Sequence, residues 1–327
     1  MNVFVAGGAG YIGSHTVRLL LEAGHEVTVY DNLSEGHASS VPVARLVRGD
    51  LADLDTLTAA MRAKPYDAAM HFAANCYVGE SVTEPQKYYV NNVSNALNLL
   101  RAMRAADVGK IVFSSTAATY GTPVATPITE SHPQQPINPY GRTKLMFEQA
   151  LADYSRAYGI GYAALRYFNA AGAAPDGTLG EDHDPETHLI PLVLYAAMGK
   201  RDQVSIFGTD YDTPDGTCVR DYIHIYDLAQ AHILALEAMR PGDRRTYNLG
   251  NGSGYSVREV IDTAAKVTGR EIPHNEAPRR PGDPAVLVAS SEKIVRELGW
   301  KPRFPHLESI IETAWRWHRE HPDGYGD

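Results

Sequence analysis

The chain has 327 residues, of which 44% are hydrophobic and 21% charged, a globular composition that excludes disorder, collagen and low-complexity sequence. Its net charge of −9 argues against a nucleic-acid or anionic-membrane surface, so an anionic ligand must be held by local positive groups. Two cysteines far apart, Cys76 and Cys218, argue against a disulfide framework or a cysteine zinc site, and no run of about 18 apolar residues offers a membrane span.

In chain order, short apolar runs alternate with helical patterns. Strands are predicted over Asn2–Ala6, Glu26–Tyr30, Arg45–Val47, Ala68–Phe72, Lys110–Ser114 and Tyr162–Tyr167, with helices over Tyr11–Ala23, Leu54–Arg62, Gln86–Ala105 and Tyr140–Ala157. That alternation predicts βαβ units: an α/β fold, a Rossmann-type doubly wound parallel sheet with a smaller mixed C-terminal lobe. Met1 to Ala6 lack a basic leader and read as a strand entering a glycine loop, which makes the cytoplasm the expected compartment. Five prolines in 122–139 mark a long loop. Beyond Asn169 the chain turns rich in Gly, Pro and Asp, then carries shorter elements at Val204–Phe207, Asp227–Met239 and Val257–Thr268.

Gly7-Gly8-Ala9-Gly10-Tyr11-Ile12-Gly13 lies between a predicted strand and a predicted helix. Glycines there let a pyrophosphate approach the backbone, and the helix N-terminus offers oriented N–H groups. Asp31 ends the next strand at the spacing of a ribose-binding carboxylate, and a carboxylate favours NAD over NADP. Asp50 ends the third strand, within reach of an adenine. Asn138 and Pro139 suit the start of a helix that places Tyr140 and Lys144 at i and i+4 on one face. A phenol is a poor base at neutral pH unless a cation favours its phenolate. With 19 tyrosines in the chain, a YxxxK match alone says little. Thr116, in Phe113-Ser114-Ser115-Thr116 at the end of a predicted parallel strand, raises its weight, because α/β sheets bind ligands at that end.

These segments resemble the extended short-chain dehydrogenase/reductases, and within them the UDP-glucose 4-epimerase branch. The likeness rests on GGAGYIGSH at 7–15, Asp31-Asn32-Leu33, HFAA at 71–74, VGES at 78–81, YGRTKLMFE at 140–148, LRYFNAAGA at 165–173, GTCVRDYIH at 216–224, YNLGNG at 247–252 and RRPGD at 279–283. The ending His321-Pro322-Asp323-Gly324-Tyr325 is similar to that of bacterial members. The resemblance implies an NAD-binding Rossmann domain over 1–169, rejoined by a segment near 220–250, and a UDP-sugar-binding domain over 170–327. It implies Gly7, Gly10, Tyr11, Ile12 and Gly13 at the pyrophosphate, Asp31, Asn32, Leu33, Ser34 and Gly36 at the adenosine ribose, and Asp50 and Leu51 at the adenine. Phe72, Ala73, Ala74, Asn91 and Phe168 line the rest of that site with Tyr140 and Lys144. Thr116, Tyr140 and Lys144 take the catalytic places. Asn169, His188, Leu189, Ser205, Ile206 and Phe207 face the sugar nucleotide, Arg220 and Arg280 its diphosphate, and Asp283 the uridine ribose. A homodimer is implied, through helices Gln86–Ala105 and Tyr140–Ala157.

The expected reaction is reversible inversion at C4 of a UDP-hexose, UDP-galactose to UDP-glucose, through a 4-keto intermediate, as in galactose metabolism. Three positions depart from the pattern. Cys76 stands where some members have lysine, His188 where some have asparagine, and Leu287 where some have a tyrosine against the sugar. The smaller Leu287 makes UDP-N-acetylglucosamine/UDP-N-acetylgalactosamine the alternative substrate pair. Thr116-Ala117-Ala118-Thr119-Tyr120 lacks the carboxylates of a 4,6-dehydratase or a uronate decarboxylase. A noncatalytic NAD-binding scaffold would not need Tyr140, Lys144 and Thr116. No metal is expected: there is no HExxH, and His183 and His188 read as solvated loop polarity.

Overall fold

The computed structural model describes residues 1–280 and 283–326; Pro281 and Gly282 of the RRPGD segment lie outside the described residues. The first elements are β1 (Asn2–Ala6), α1 (Tyr11–Glu22), β2 (Glu26–Asp31), β3 (Arg45–Arg48), α2 (Leu54–Arg62), β4 (Ala68–His71), α3 (Val78–Thr83), α4 (Pro85–Tyr89), α5 (Ala96–Ala105) and β5 (Lys110–Ser114). There follow α6 (Pro139–Tyr158), β6 (Gly161–Tyr167), β7 (Asn169–Ala171), α7 (Leu189–Met198), β8 (Val204–Phe207), β9 (Val219–Arg220), β10 (Tyr222–His224), α8 (Ile225–Glu237) and β11 (Arg244–Leu249). The chain closes with β12 (Tyr255–Ser256), α9 (Val257–Thr268), β13 (His274–Ala277), β14 (Val286–Leu287), α10 (Glu292–Leu298) and α11 (Leu307–Glu320).

Among the described residues seven strands form one sheet in the order β11-β6-β5-β4-β1-β2-β3. Every pairing is parallel. Successive strand residues face opposite layers, so a strand buried on both sides must be apolar throughout. Val3 and Val5 pack with Val17 and Leu20 of α1 and with Leu228 and Leu236 of α8. Phe4 and Ala6 face the other way, onto Leu57 and Met61 of α2, Leu99 and Met103 of α5, and Phe147 and Leu151 of α6. Chain order reverses between β1 and β4, the crevice where doubly wound sheets hold ligands.

A second cluster gathers Val193 and Leu194 of α7, Ile206 of β8, Tyr222 of β10, Val260 and Ile261 of α9, and Ile310 and Ile311 of α11. Small sheets decorate it: β8 pairs with β13, β7 with β10, and β9 lies between β12 and β14. The predicted helix Gln86–Ala105 is not regular. Val90–Asn95 forms a π-helical turn between α4 and α5. Asn92 is buried there; its carboxamide oxygen accepts from Asn75 N at 2.9 Å while its nitrogen donates to Asn75 O and to Thr143 Oγ1. Such turns recur at functional sites.

Helix α6 begins as the sequence predicts. The Asn138 side chain accepts from Gly141 N at 2.8 Å, Pro139 takes the first turn, and Gly159 closes the helix at φ 70°. Its inner face carries Lys144 and, one turn on, Glu148. Glu148 receives a fork from Arg166 of β6, Nε at 2.9 Å and Nη2 at 2.5 Å, and a bond from the Ser115 hydroxyl. Arg166 also donates to Tyr120 Oη, which donates to Asn248 of β11. Both charges are buried, so either alone would be costly. Glu148→Ala is expected to lower the unfolding free energy by about 3–5 kcal/mol, and Glu148→Gln by less, read in urea titrations.

Candidate active site

The glycine loop is shaped by close backbone contacts. Gly7 has φ +77°, and a Cβ there would lie 2.3 Å from Ala73 N, so the loops after β1 and β4 touch at that point. A Cβ on Gly13 would lie 2.1 Å from Gly7 O. Gly10 differs: its added Cβ would meet nothing nearer than 3.8 Å, which leaves open space above the start of α1. Among the described residues no side chain caps α1 and no acidic residue sits in its first turn. This is the cradle a dinucleotide pyrophosphate requires. Asp31 braces it: one oxygen accepts from Ala9 N and the other from Leu33 N, both at 2.9 Å. Burial pushes the Asp31 pKa up, and these two bonds oppose the shift. The turn over Asn32, Leu33, Ser34 and Gly36 lies against Ala9, where a Cβ on Gly36 would come within 2.8 Å of its carbonyl carbon. Asn32 donates to Asp50 at 2.7 Å. Leu51 is sealed in the core, so its backbone alone faces that edge. Phe72 and Ala73 both hydrogen-bond to Ala6 O, and the Phe72 ring packs 5.0 Å from His232. Tyr11 donates to Gly172 O at 2.6 Å, linking the start of α1 to the loop after β7.

Tyr140, Lys144 and Thr116 converge where β5 ends and α6 begins. The Thr116 hydroxyl accepts from Ala118 N at 3.1 Å and stands close to the Tyr140 phenol. Lys144 Nζ is buried, donates to Ser114 O at 2.8 Å and stands 5.8 Å from the Tyr140 ring centre. Burial pushes the Tyr140 pKa up, helped by the nearby Tyr167 and Cys76, while the Thr116 bond pulls it down. The Lys144 ammonium makes its short contact with the Ser114 carbonyl, so its charge acts on the phenol at longer range. Burial lowers the Lys144 pKa to about 8, against the pull of Cys76 and Glu148. Asn91 donates to Asn92 in the π-helical turn beside α6.

The substrate-side residues fall into two groups. Asn169, His188 and Leu189 line one cleft with Tyr222, and Asn169 donates to Asp221 O at 2.9 Å. Arg220 pairs with Asp283, Asp283 N donates to Arg280 O, and the Arg280 guanidinium lies 4.0 Å over the Phe207 ring. Ser205 donates to Asn275, whereas Ile206 turns into the core, so only its backbone can meet a ligand. Leu287 and Phe168 lie together against Ala117, Tyr120 and Ile128.

One expectation is corrected in part: Glu181, His183 and Glu186 are not solvated loop polarity but are packed inward, with Glu181 and Glu186 side chains 5% and 3% exposed, while His188 closes the group from a half-exposed position. Two residues went unnoticed in the sequence. Asn92 and Asp221 are buried polar anchors; Asp221 accepts from Asn251, Gly252 and Ala289 backbone N–H groups, and burial raises its pKa to about 6. Asp221 lies within the quoted GTCVRDYIH segment and Asn92 next to Asn91, but only burial distinguishes them from surface polar residues.

Comparison with known proteins adds the following. Residues 3–250 match the NAD dependent epimerase/dehydratase family. The UDP-glucose 4-epimerase of Halalkalibacterium halodurans is 56% identical over 99% of this chain and 98% of its own. The crystal structure of UDP-glucose 4-epimerase from Bifidobacterium longum in complex with NAD+ and UDP is 39% identical, with a TM-score of 0.95 over 99% of this chain and 100% of that one. The UDP-Glc/GlcNAc 4-epimerase of Campylobacter jejuni is 43% identical, with a TM-score of 0.86 over 98% of this chain and 99% of that one.

Lys144 supplies a test of the site's electrostatics. Its lowered pKa means the folded state binds fewer protons than the unfolded state between pH 8 and 10.5. The resulting penalty is complete below pH 8 and is lost as pH rises to 10.5. Lys144→Met is therefore expected to raise the unfolding free energy at neutral pH by up to about 3 kcal/mol. The gain should fade across that window in urea titrations taken at several pH values.

Proposed function

The chain belongs to the NAD dependent epimerase/dehydratase family, and from that premise we propose that it inverts the C4 configuration of a UDP-hexose, interconverting UDP-galactose and UDP-glucose, with NAD as its cofactor. The observation that carries the reading is the meeting of Tyr140 and Thr116 at the mouth of the parallel sheet, beside a backbone cradle that fits a dinucleotide. The full-length likeness to UDP-glucose 4-epimerases supports the choice of reaction. Tyr140 takes the proton of the sugar 4-hydroxyl, and Thr116 shares a hydrogen bond with that hydroxyl. Lys144, held at Ser114 O, keeps α6 and its tyrosine in register and places a cation nearby. NAD, held by the cradle from Gly7 to Gly13 and by Asp31, would supply the hydride acceptor and donor that the reversible oxidation at C4 needs. Arg220 and Arg280 grip the diphosphate by charge-assisted bonds, while Asp283, exchanging its arginine partner, receives the uridine ribose. Firm anchoring at that end leaves the sugar free to turn over.

Leu287 favours a second substrate pair. It packs, as Phe168 does, against the small cluster of Ala117, Tyr120 and Ile128, and a leucine there would leave more room for a 2-acetamido group than a tyrosine. We also place the enzyme in the cytoplasm, where its two free thiols, Cys76 and Cys218, stay reduced. We assign it a homodimer through α3, the π-helical turn and α6, whose exposed Val78, Val82, Val90 and Met146 support an apolar interface. Val90→Glu with Met146→Glu should give a monomer in light scattering.

The deciding experiment incubates the purified protein with UDP-galactose and no added cofactor and follows the sugars by NMR. UDP-glucose is the expected product; loss of water would indicate dehydration, and no change a scaffold. Tyr140→Phe should slow turnover at least about 100-fold while bound NAD stays constant. UDP-N-acetylgalactosamine should also turn over, and Leu287→Tyr should reduce that activity about tenfold or more relative to UDP-galactose. Refusal of the acetamido sugar by the native enzyme would remove the second reading.

A further inference from the structure

The loop between β7 and α7 carries Glu181, His183, Glu186 and His188 within eight residues. One donor atom from each lies within 4.8 Å of the donor atoms of all the others. His188 Nδ1 is 2.9 Å from a Glu181 oxygen and 2.9 Å from a Glu186 oxygen. His183 Nδ1 is 3.2 Å from Glu181 and 3.7 Å from Glu186 Oε2. Adjacent ligands on a tetrahedral zinc ion, with bonds of about 2.0–2.1 Å, stand about 3.3 Å apart. The observed separations bracket that spacing.

Hydrogen bonding alone does not account for the arrangement. Each Nδ1 carries at most one proton, which can serve one carboxylate, yet each approaches two. His183 Nδ1 and Glu186 Oε2 are buried and have no hydrogen-bond partner among the described residues. They face one another at a distance too long for a hydrogen bond and suited to sharing an ion. Glu186 is held in place from behind, its Oε1 accepting from Thr187 N at 2.6 Å and His188 N at 2.7 Å. Two buried carboxylates need two positive charges, which either two imidazolium rings or one divalent cation with neutral imidazoles would supply.

We propose that Glu181, His183, Glu186 and His188 bind a zinc ion that fastens the 181–188 loop over the start of α1. Four protein ligands close a tetrahedral shell, so the ion is structural and activates no water. Its effect is positional. The rings of Tyr11 and Tyr77 each stand edge-on to His183 at 6.1 Å, and Tyr11 is bonded to Gly172 O. His188 immediately precedes α7, whose first residue, Leu189, lines the cleft with Asn169. The ion thus ties the cofactor cradle to the first turn of α7.

The test uses the native NAD-bearing protein stripped with a chelator and then titrated with zinc alone, with cobalt(II) as a spectroscopic substitute. Uptake of about one ion per chain, an intense tetrahedral cobalt spectrum, a higher Tm and slower NAD loss are expected. His183→Asn and Glu181→Gln should abolish the uptake and the Tm response to zinc. No uptake by the native chain, or uptake unchanged in both variants, would overturn the proposal. Metal content and spectrum are read without turnover, so their failure leaves the epimerase reading as it stands.

Discussion

The buried ion pair between Glu148 and Arg166 is what the site depends on. A helix lying on a parallel sheet can slide by a turn with little change in apolar area, since Phe147 and Leu151 would find other apolar neighbours. A bidentate carboxylate–guanidinium fork permits no such slide. It fixes α6 to β6, and through Ser115, Tyr120 and Asn248 it fixes the end of β5 and strand β11 as well. Lys144 repeats the constraint one turn earlier by reaching Ser114 O. Tyr140, another turn earlier, then has one place to be, beside Thr116. The desolvation of three charged groups is the cost of that registration, and it explains why a stretch of helix devoted to chemistry is also among the most polar of the buried faces.

Around that registered helix the nucleotide cradle is made mostly of backbone. Gly7 meets Ala73, Gly13 meets Gly7, and Asp31 closes the loop with two N–H bonds. In an acidic protein, positive character is concentrated locally: in the oriented peptide groups that open α1 and, separately, in Arg220 beside Asp283 and Arg280 over Phe207.

Much of this was legible in the sequence because it follows from spacing. β1, β5, α2, β8 and α9 fall where apolar periodicity places them, and Asn138-Pro139 announces α6. What periodicity does not encode is which polar residues are buried. A π-helical turn interrupts a helix whose apolar pattern reads as continuous, at the place where the buried Asn92 carboxamide bonds to the Asn75 backbone. The histidines and glutamates of 181–188 read as ordinary loop polarity, since their mutual approach arises only when the loop folds back on itself. The relation of Lys144 to Tyr140 was visible as an i,i+4 pair, but the direction of the ammonium, toward a carbonyl, was not.

The order of the large sheet has one further consequence. The chain leaves it after β6 and returns some eighty residues later to lay β11 along the exposed edge of β6. During synthesis, that edge is open while the intervening hundred-odd atoms of backbone polar groups are still being extruded, and it is a template for pairing with any neighbouring extended chain. Until Arg244–Leu249 is made, the edge of β6 has no strand partner, so the seven-stranded sheet is complete only late in synthesis.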